Sequence, residues 1–338
     1  MSEYCPRVSI CTPVYKVSLF IERCARSLFE QTYANVEFVF VDDCSPDDSI
    51  AVLERVMSDY ANVSEKVAII HHDRNRGLAA SRNTAVAAAK GDFIMHVDSD
   101  DWIEPNMVEL LVNEQQKTNS DIVSCNFLIH YPYGNDVFEE PDYRSKDEMM
   151  RKILQMTLDH TLCRRLIRSS LYKGNNVEAI EGVNIGEDHY TLPRLLFYAH
   201  SFAKCDKALY HYNCMNQSSY TSSLSSSFDC LKYSNNRDSI NILIDFFMLH
   251  GESYLDELYS IKARYVYSQF FPVLKEGNAE AYDELSNDWK SIGDSYKLAL
   301  GLTPRRMKLL NGKYALNRAR VLSKIGLKKL FGIRKYEL

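Results

Sequence analysis

Over the nine residues Phe93-Ile94-Met95-His96-Val97-Asp98-Ser99-Asp100-Asp101, a short apolar run gives way to three carboxylates and a hydroxyl in four consecutive positions. Carboxylates that dense repel one another unless a cation sits among them. A hard divalent ion, Mn²⁺ or Mg²⁺, suits the set because it takes oxygen ligands and brings a phosphate-bearing substrate. The same letters also fit an acidic turn before a helix start at Asp101-Trp102-Ile103-Glu104-Pro105. Two more polar clusters, Thr12-Pro13-Val14-Tyr15 and Asp42-Asp43-Cys44-Ser45, stand upstream and bear on the choice.

The elements that must position these clusters follow from the apolar pattern. Val8 to Tyr15 reads as a first strand broken at Pro13, which cannot donate to a ladder. Ser18 is placed to cap a helix running to Gln31, with Ile21, Cys24 and Leu28 on one face. Val36–Val41 and Val67–Ile70 are further strands, with a helix over Ile50–Tyr60 between them. Asp73–Gly77 is a turn, and Leu78–Lys90 is an Ala-rich helix stopped by Gly91. Strand and helix alternating three times imply right-handed crossovers and a parallel sheet covered on both faces. Ligands bind such sheets beyond the carboxyl ends of the strands. All three polar clusters follow strand ends, which favours a site over an acidic turn.

Neither a G-x-x-x-x-G-K-[ST] nor a G-x-G-x-x-G follows the first strand, so P-loop and dinucleotide readings lose their support. A nucleotide must be held otherwise. Tyr15 can stack on a base, Asp43 can accept from a ring N–H, and a metal at Asp98 and Asp100 can hold a diphosphate. On the residues alone Tyr15 equally fits an edge-packing tyrosine, Asp43 a helix cap and Arg82 a solvated surface arginine. Gly186-Glu187-Asp188 reads by itself as a helix start with favourable dipole charges.

The composition, 46% hydrophobic and 25% charged, is that of an ordinary globular protein. Nine cysteines without a C-x-x-C pair argue against a disulfide framework or a zinc site and for a reducing compartment. No signal pattern and no apolar run long enough to cross a bilayer is found, so a cytoplasmic protein is expected. The net charge of −5 conceals a basic end: from Pro304 onward eleven Lys and Arg stand against Glu337 alone. That localises any anionic partner to one segment and does not describe a nucleic-acid-binding protein.

Several of these stretches together resemble the family 2 glycosyltransferases. They are Val8-Ser9-Ile10 with Pro13-Val14-Tyr15; Gln31-Thr32-Tyr33; Val41-Asp42-Asp43-Cys44-Ser45; Asn75 and Gly77-Leu78 with Ala80 and Arg82-Asn83; Lys90-Gly91-Asp92-Phe93; and Asp98-Ser99-Asp100-Asp101-Trp102 with Pro105. Order and spacing agree along roughly residues 6–220. The resemblance implies a GT-A (Rossmann-like) α/β fold, a mostly parallel sheet flanked by helices, and the period of residues Phe228 to Tyr296 adds a helical C-terminal region. It implies a nucleotide-sugar donor, most often a UDP-sugar, and inversion at the anomeric carbon. By position, Pro13, Tyr15 and Asp43 would hold the nucleoside, with Ser99 also on the donor side. Asp100 with Asp98 would fill the metal-binding D-x-D role, Arg82 would face the diphosphate, and Asp188 would be the general base. Two departures stand out: Lys16 follows the Tyr where many relatives have Arg, and Tyr212-Asn213-Cys214-Met215-Asn216 lacks the metal-side His. The third protein ligand is thus not identified, and His211 is expected to pack beside Tyr210 and Tyr212. Without Q-x-x-R-W and membrane spans, a processive synthase is not expected.

The expected organisation is a catalytic domain over 1–222, a helical region over 223–300 and a basic tail over 301–338. The catalytic domain divides into a nucleotide-sugar-binding half, 1–120, and an acceptor half, 121–222, with strand 121–133, helix 147–159 and a closing loop at Ser218–Ser227. Aromatics between Phe228 and Tyr296 fit a helical core better than a sugar platform. In the tail, Leu310, Tyr314, Val321, Leu322 and Ile325 can share one helical face. Residues 304–335 then read as an anchor on an anionic membrane surface, against a solvated tail. A hexosyltransferase peripheral at the inner face of the cell membrane, acting on a saccharide or lipid-linked saccharide in surface polysaccharide biosynthesis, fits these features. The alternatives are a non-catalytic nucleotide-sugar-binding scaffold or a sugar-1-phosphate nucleotidyltransferase, which would want a Gly-rich basic loop after the first strand.

Overall fold

The computed structural model describes residues 5–61, 63–216, 228–251, 253–302, 310 and 314–331, the last eight by backbone alone. The chain divides into two compact units, Met1–Ser223 and Leu224–Leu338. The expected Ser218–Ser227 loop, the expected boundary at 222 and much of the basic tail lie outside the described residues.

The first unit is built on β1 (Val8–Val14), α1 (Ile21–Phe29), β2 (Val36–Asp42), α2 (Ser49–Ser58), β3 (Val67–His71), α3 (Leu78–Ala88) and β4 (Phe93–His96). Then come β5 (Trp102–Ile103), α4 (Met107–Thr118), β6 (Ile122–Tyr131), β7 (Gly134–Phe138), α5 (Lys146–Leu154), β8 (Arg165–Arg168), α6 (Ser169–Lys173), α7 (Glu187–Tyr198) and β9 (Phe202–Asn213). The sheet runs β3-β2-β1-β4-β8-β6-β9-β5, with β7 beside β6. Its first four strands are parallel; beyond β4 the pairing is mixed, with β6 and β9 parallel. β1, β2 and β4 are buried along their whole length. That is the reason they read as near-continuous apolar runs and not as alternating ones. Glu37 is tolerated inside β2 because Ser9 Oγ and Arg7 Nη2 donate to its carboxylate.

Three local expectations need correction. β1 does not break at Pro13: it continues to Val14, with Pro13 in register with Val41. β4 pairs with β1 only as far as Cys11, so the missing N–H falls where one flank is already open. Ser18 is not a helix cap; its N–H donates to Asp47 and α1 begins at Ile21. α3 ends at Ala88, and Gly91 is required by a close approach to β1. A Cβ there would lie 2.7 Å from Arg7 O and Ser9 N. The alternative of a helix start at Asp101–Pro105 fails: Trp102-Ile103 is a short strand antiparallel to β9, and α4 begins at Met107.

The second unit contains α8 (Cys230–His250), α9 (Leu255–Glu276), α10 (Ala279–Ser291), α11 (Asp294–Leu298) and α12 (Tyr314–Phe331). Tyr233, Phe270, Tyr282 and Trp289 form an aromatic core, with Tyr265, Tyr267 and Phe271 packed against it. Leu310, Tyr314 and Val321 join that core as well. Most of the apolar face expected to meet a membrane is therefore turned into the protein, while Leu322 is exposed.

Candidate active site

The strand ends of the parallel half do meet. Pro13, Tyr15, Asp43, Asp98, Ser99 and Asp100 line one cleft of about 450 Å³, together with Tyr212 near the end of β9 and Asn216 just beyond it. Tyr15 offers a ring 36% exposed, whereas Asp43 is buried. Asp43 accepts from the N–H groups of Arg76 (2.8 Å) and Gly77 (2.7 Å), and His72 Nδ1 lies 2.7 Å from its Oδ1. The carboxylate thereby fixes the turn ahead of α3, where Gly77 stands at φ 88°.

The three acids after β4 have three different environments. Asp98 is held at both oxygens: Arg82 Nη2 donates to Oδ1 (3.0 Å) and Cys163 Sγ to Oδ2 (3.1 Å). Asp101 is consumed by the fold, accepting from Tyr210 OH (2.6 Å) and the Asn213 N–H (2.8 Å). Asp100 faces the cleft, with Asn216 Nδ2 donating to its Oδ2 at 2.8 Å. Burial, with the Asp98 charge added, lifts its carboxyl to about 6. A carboxylate raised by burial and a like charge is one a cation would relieve, so the donor chemistry fits a hard divalent ion. Among the described residues no set of three or more His, Cys, Asp or Glu side chains surrounds a metal position.

Arg82 and Asp188 are not in the lining of the cleft. The surface alternative for Arg82 fails, because it is 3% exposed. Its Nε donates to Glu187 Oε1 (3.0 Å), and Nη2 stands 3.0 Å from Asp98 Oδ1 and 3.8 Å from Asp188 Oδ1. One guanidinium thus ties the acid after β4 to both acids in the first turn of α7. Burial pushes the Asp188 carboxyl up and the Glu187 charge adds to it, while Arg82 pulls it down. Burial likewise raises Glu187, against the pull of Arg82.

Glu187, Cys163, Tyr210, Asn213 and Asn216 are site residues that the sequence reading did not assign. Only Glu187 carried a signal, as the neighbour of Asp188. His211 lies elsewhere: it stacks on Trp102 (4.8 Å, 8°) and its Nε2 is 2.8 Å from Glu104. It packs across to β5 rather than between its neighbouring tyrosines.

A parallel α/β half whose strand ends furnish an aromatic ring, a locked carboxylate and an acid pair, joined to a mixed half, is the GT-A architecture. Comparison with known proteins agrees. The model of glycosyl transferase family 2 matches residues 9–174, just under half of the chain. The uncharacterized glycosyltransferase EpsJ of Bacillus subtilis is 32% identical over 193 residues, 54% of this chain and 54% of its own. The chain thus spans about half the length of this curated relative. Among solved structures, S. aureus TarS 1-349 superposes with a TM-score of 0.67 at 18% identity, covering 98% of this chain and 93% of that one. The same TarS fragment is known in complex with UDP-GlcNAc, at a TM-score of 0.57, 19% identity and 79% and 83% coverage. The mannosyltransferase PcManGT from Pyrobaculum calidifontis, in complex with GDP-Man and Mn²⁺, superposes at 0.50 and 16% identity, covering 98% and 89%. No helix among the described residues is long and apolar enough to cross a membrane.

Proposed function

We propose that the chain is an inverting glycosyltransferase. It moves a hexose-type sugar from a nucleotide-sugar donor, a UDP-sugar foremost, to a hydroxyl of a saccharide or lipid-linked saccharide in surface polysaccharide biosynthesis. The observation that carries this reading is the meeting of Tyr15, Asp43, Ser99 and Asp100 in one cleft, with Arg82 leading from Asp98 to Asp188. UDP-GlcNAc on TarS and GDP-Man with Mn²⁺ on PcManGT support the donor class and the ion.

Each role follows from surroundings. Tyr15 presents a ring face to the base, and Asp43, its carboxylate locked by two backbone N–H groups, is oriented to accept from a ring N–H. Asp100 and Asp98 would hold Mn²⁺ or Mg²⁺, which when bound offsets the negative charge on a departing diphosphate. Asp188 takes the proton of the acceptor hydroxyl as its oxygen bonds to the anomeric carbon and the bond to the nucleoside diphosphate breaks. General-base assistance of this kind contributes roughly 10² to 10⁴ in rate. The carboxyl, raised by burial, is poised to accept a proton. With three of its apolar residues committed to the helical core, the basic tail would meet the inner membrane face by charge, at roughly 1 kcal/mol per Lys or Arg.

A thermal-shift panel of UDP-, GDP-, CMP- and dTDP-sugars with Mn²⁺ tests the reading. At least one is expected to raise the melting temperature in a metal-dependent way. A panel in which none does so would remove it. Removal of residues 303–338 with unchanged liposome binding would dismiss the membrane contact.

A further inference from the structure

The segment 177–186 between α6 and α7 has no regular secondary structure, yet it leads directly to Asp188. We propose that α3 is its mount, and that Asn83 and Arg76 are positioning residues that set where the Asp188 carboxylate stands. The proposal rests on Asp188 being the base.

Four contacts join the helix and its entry turn to this segment and to the first residue of α7. Arg76 Nε and Nη2 donate to Glu181 Oε1 (3.2 Å) and Oε2 (3.0 Å). The Ala79 N–H donates to Asn184 Oδ1 (3.1 Å), and Arg82 Nε to Glu187 Oε1 (3.0 Å). Asn83 serves both backbone groups of Ala179: its Nδ2 donates to the carbonyl (2.7 Å) and its Oδ1 accepts from the N–H (2.8 Å). A side-chain amide is the one group that can imitate a neighbouring strand in this way, with donor and acceptor side by side. An unstructured segment must satisfy its backbone somewhere, and here the donor-side helix does it.

The other end of the mount lies in the cleft. Asp43 holds the Arg76 and Gly77 N–H groups, and Asn184 lies so close over Gly77 that any Cβ would come within 2.4 Å of it. From α7, Tyr190 OH accepts from the Ile180 N–H (2.9 Å) and donates to Val183 O (3.1 Å). Arg194 Nη2 donates to Glu178 O (2.6 Å). Held from both helices, the segment transmits the position of the nucleoside-side turn to Asp188. Partners 96 to 105 residues apart in sequence behave as one body.

Hydrogen exchange on the full chain tests this without any ligand. Asn83→Ala removes two neutral hydrogen bonds, and peptides covering 177–187 are expected to exchange about tenfold faster. Peptides of β1 and β2 should stay as in the parent, which shows that the fold is intact. Arg76→Glu, at an exposed pair, should speed the same peptides about two- to fivefold, and adding Glu181→Arg should restore them. On whichever nucleotide sugar the panel selects, Asn83→Ala should lower kcat at least tenfold with KM unchanged. Unchanged exchange over 177–187 in both variants overturns the proposal, as does faster exchange with undiminished kcat. Should Asp188→Asn keep its turnover while the exchange results hold, the base assignment falls and the mount remains, so the two failures are separable.

Discussion

Replacing Arg82 by Met removes the cation that, among the described residues, pairs with Asp98, Glu187 and Asp188. The side chain is 3% exposed and its partners Glu187 and Asp188 are 5% and 15% exposed, so solvent cannot take its place. Removing one partner of a buried pair costs about 3–5 kcal/mol because a charge is left unpaired. For a unit the size of the first, each kcal/mol is worth about 2–4 °C. The expected loss at pH 8 is therefore roughly 6–20 °C, read by differential scanning calorimetry on the transition of the first unit. The pH dependence identifies the cause. Burial already raises Glu187 and Asp188, and without Arg82 both rise further. A raised carboxyl favours the folded state at low pH and loses that contribution as pH climbs through its folded value. The deficit of Arg82→Met should thus shrink on acidification from pH 8 to pH 5. A drop below about 3 °C at pH 8, or one that does not diminish in acid, would refute the shared-guanidinium account.

Asp188→Asn is expected to abolish turnover while the nucleotide sugar binds as before, by calorimetric titration; retained turnover would contradict the base assignment. EDTA should stop transfer. Affinity for Mn²⁺, followed by electron paramagnetic resonance, should hold from pH 8 to about 6 and then weaken about tenfold per pH unit, because a proton must leave Asp100. A flat profile down to pH 5 would exclude Asp100 as a ligand. Gly77→Ala meets both φ 88° and Asn184, and should cost about 1–3 kcal/mol in urea unfolding; a neutral outcome would mean that the turn relaxes.

The parallel half was legible because its strands are buried on both faces and its chemistry follows their ends. Val36–Asp42 shows as an apolar run terminated by acids, and that pattern survives folding. The mixed half was less legible. β5 is two residues long, and β9 carries Lys204, Asp206 and Lys207 at its exposed start, so neither has a period of its own. Gly91 shows the limit of local rules: it looks like a helix stop, and its cause is the backbone of a strand 82 residues away. In the site, Tyr15, Asp43 and Asp100 could be picked out by type and place. Arg82 could not be read as buried, because a charged residue in an Ala-rich helix looks solvated until its partner 105 residues on is known. Cys163 and Asn216 reach Asp98 and Asp100 across 65 and 116 residues, and no local pattern announces them.

The acid lining of the cleft has a consequence for the order of arrival there. Asp43, Asp98 and Asp100 line it with Lys16, an excess of negative charge, and such a wall gathers counter-ions from solution. On the proposed reading a bare diphosphate would be repelled by that lining. Electroneutrality would then have the cation come first, or escort the nucleotide in, and would make the salt of the medium a control on how often the two meet.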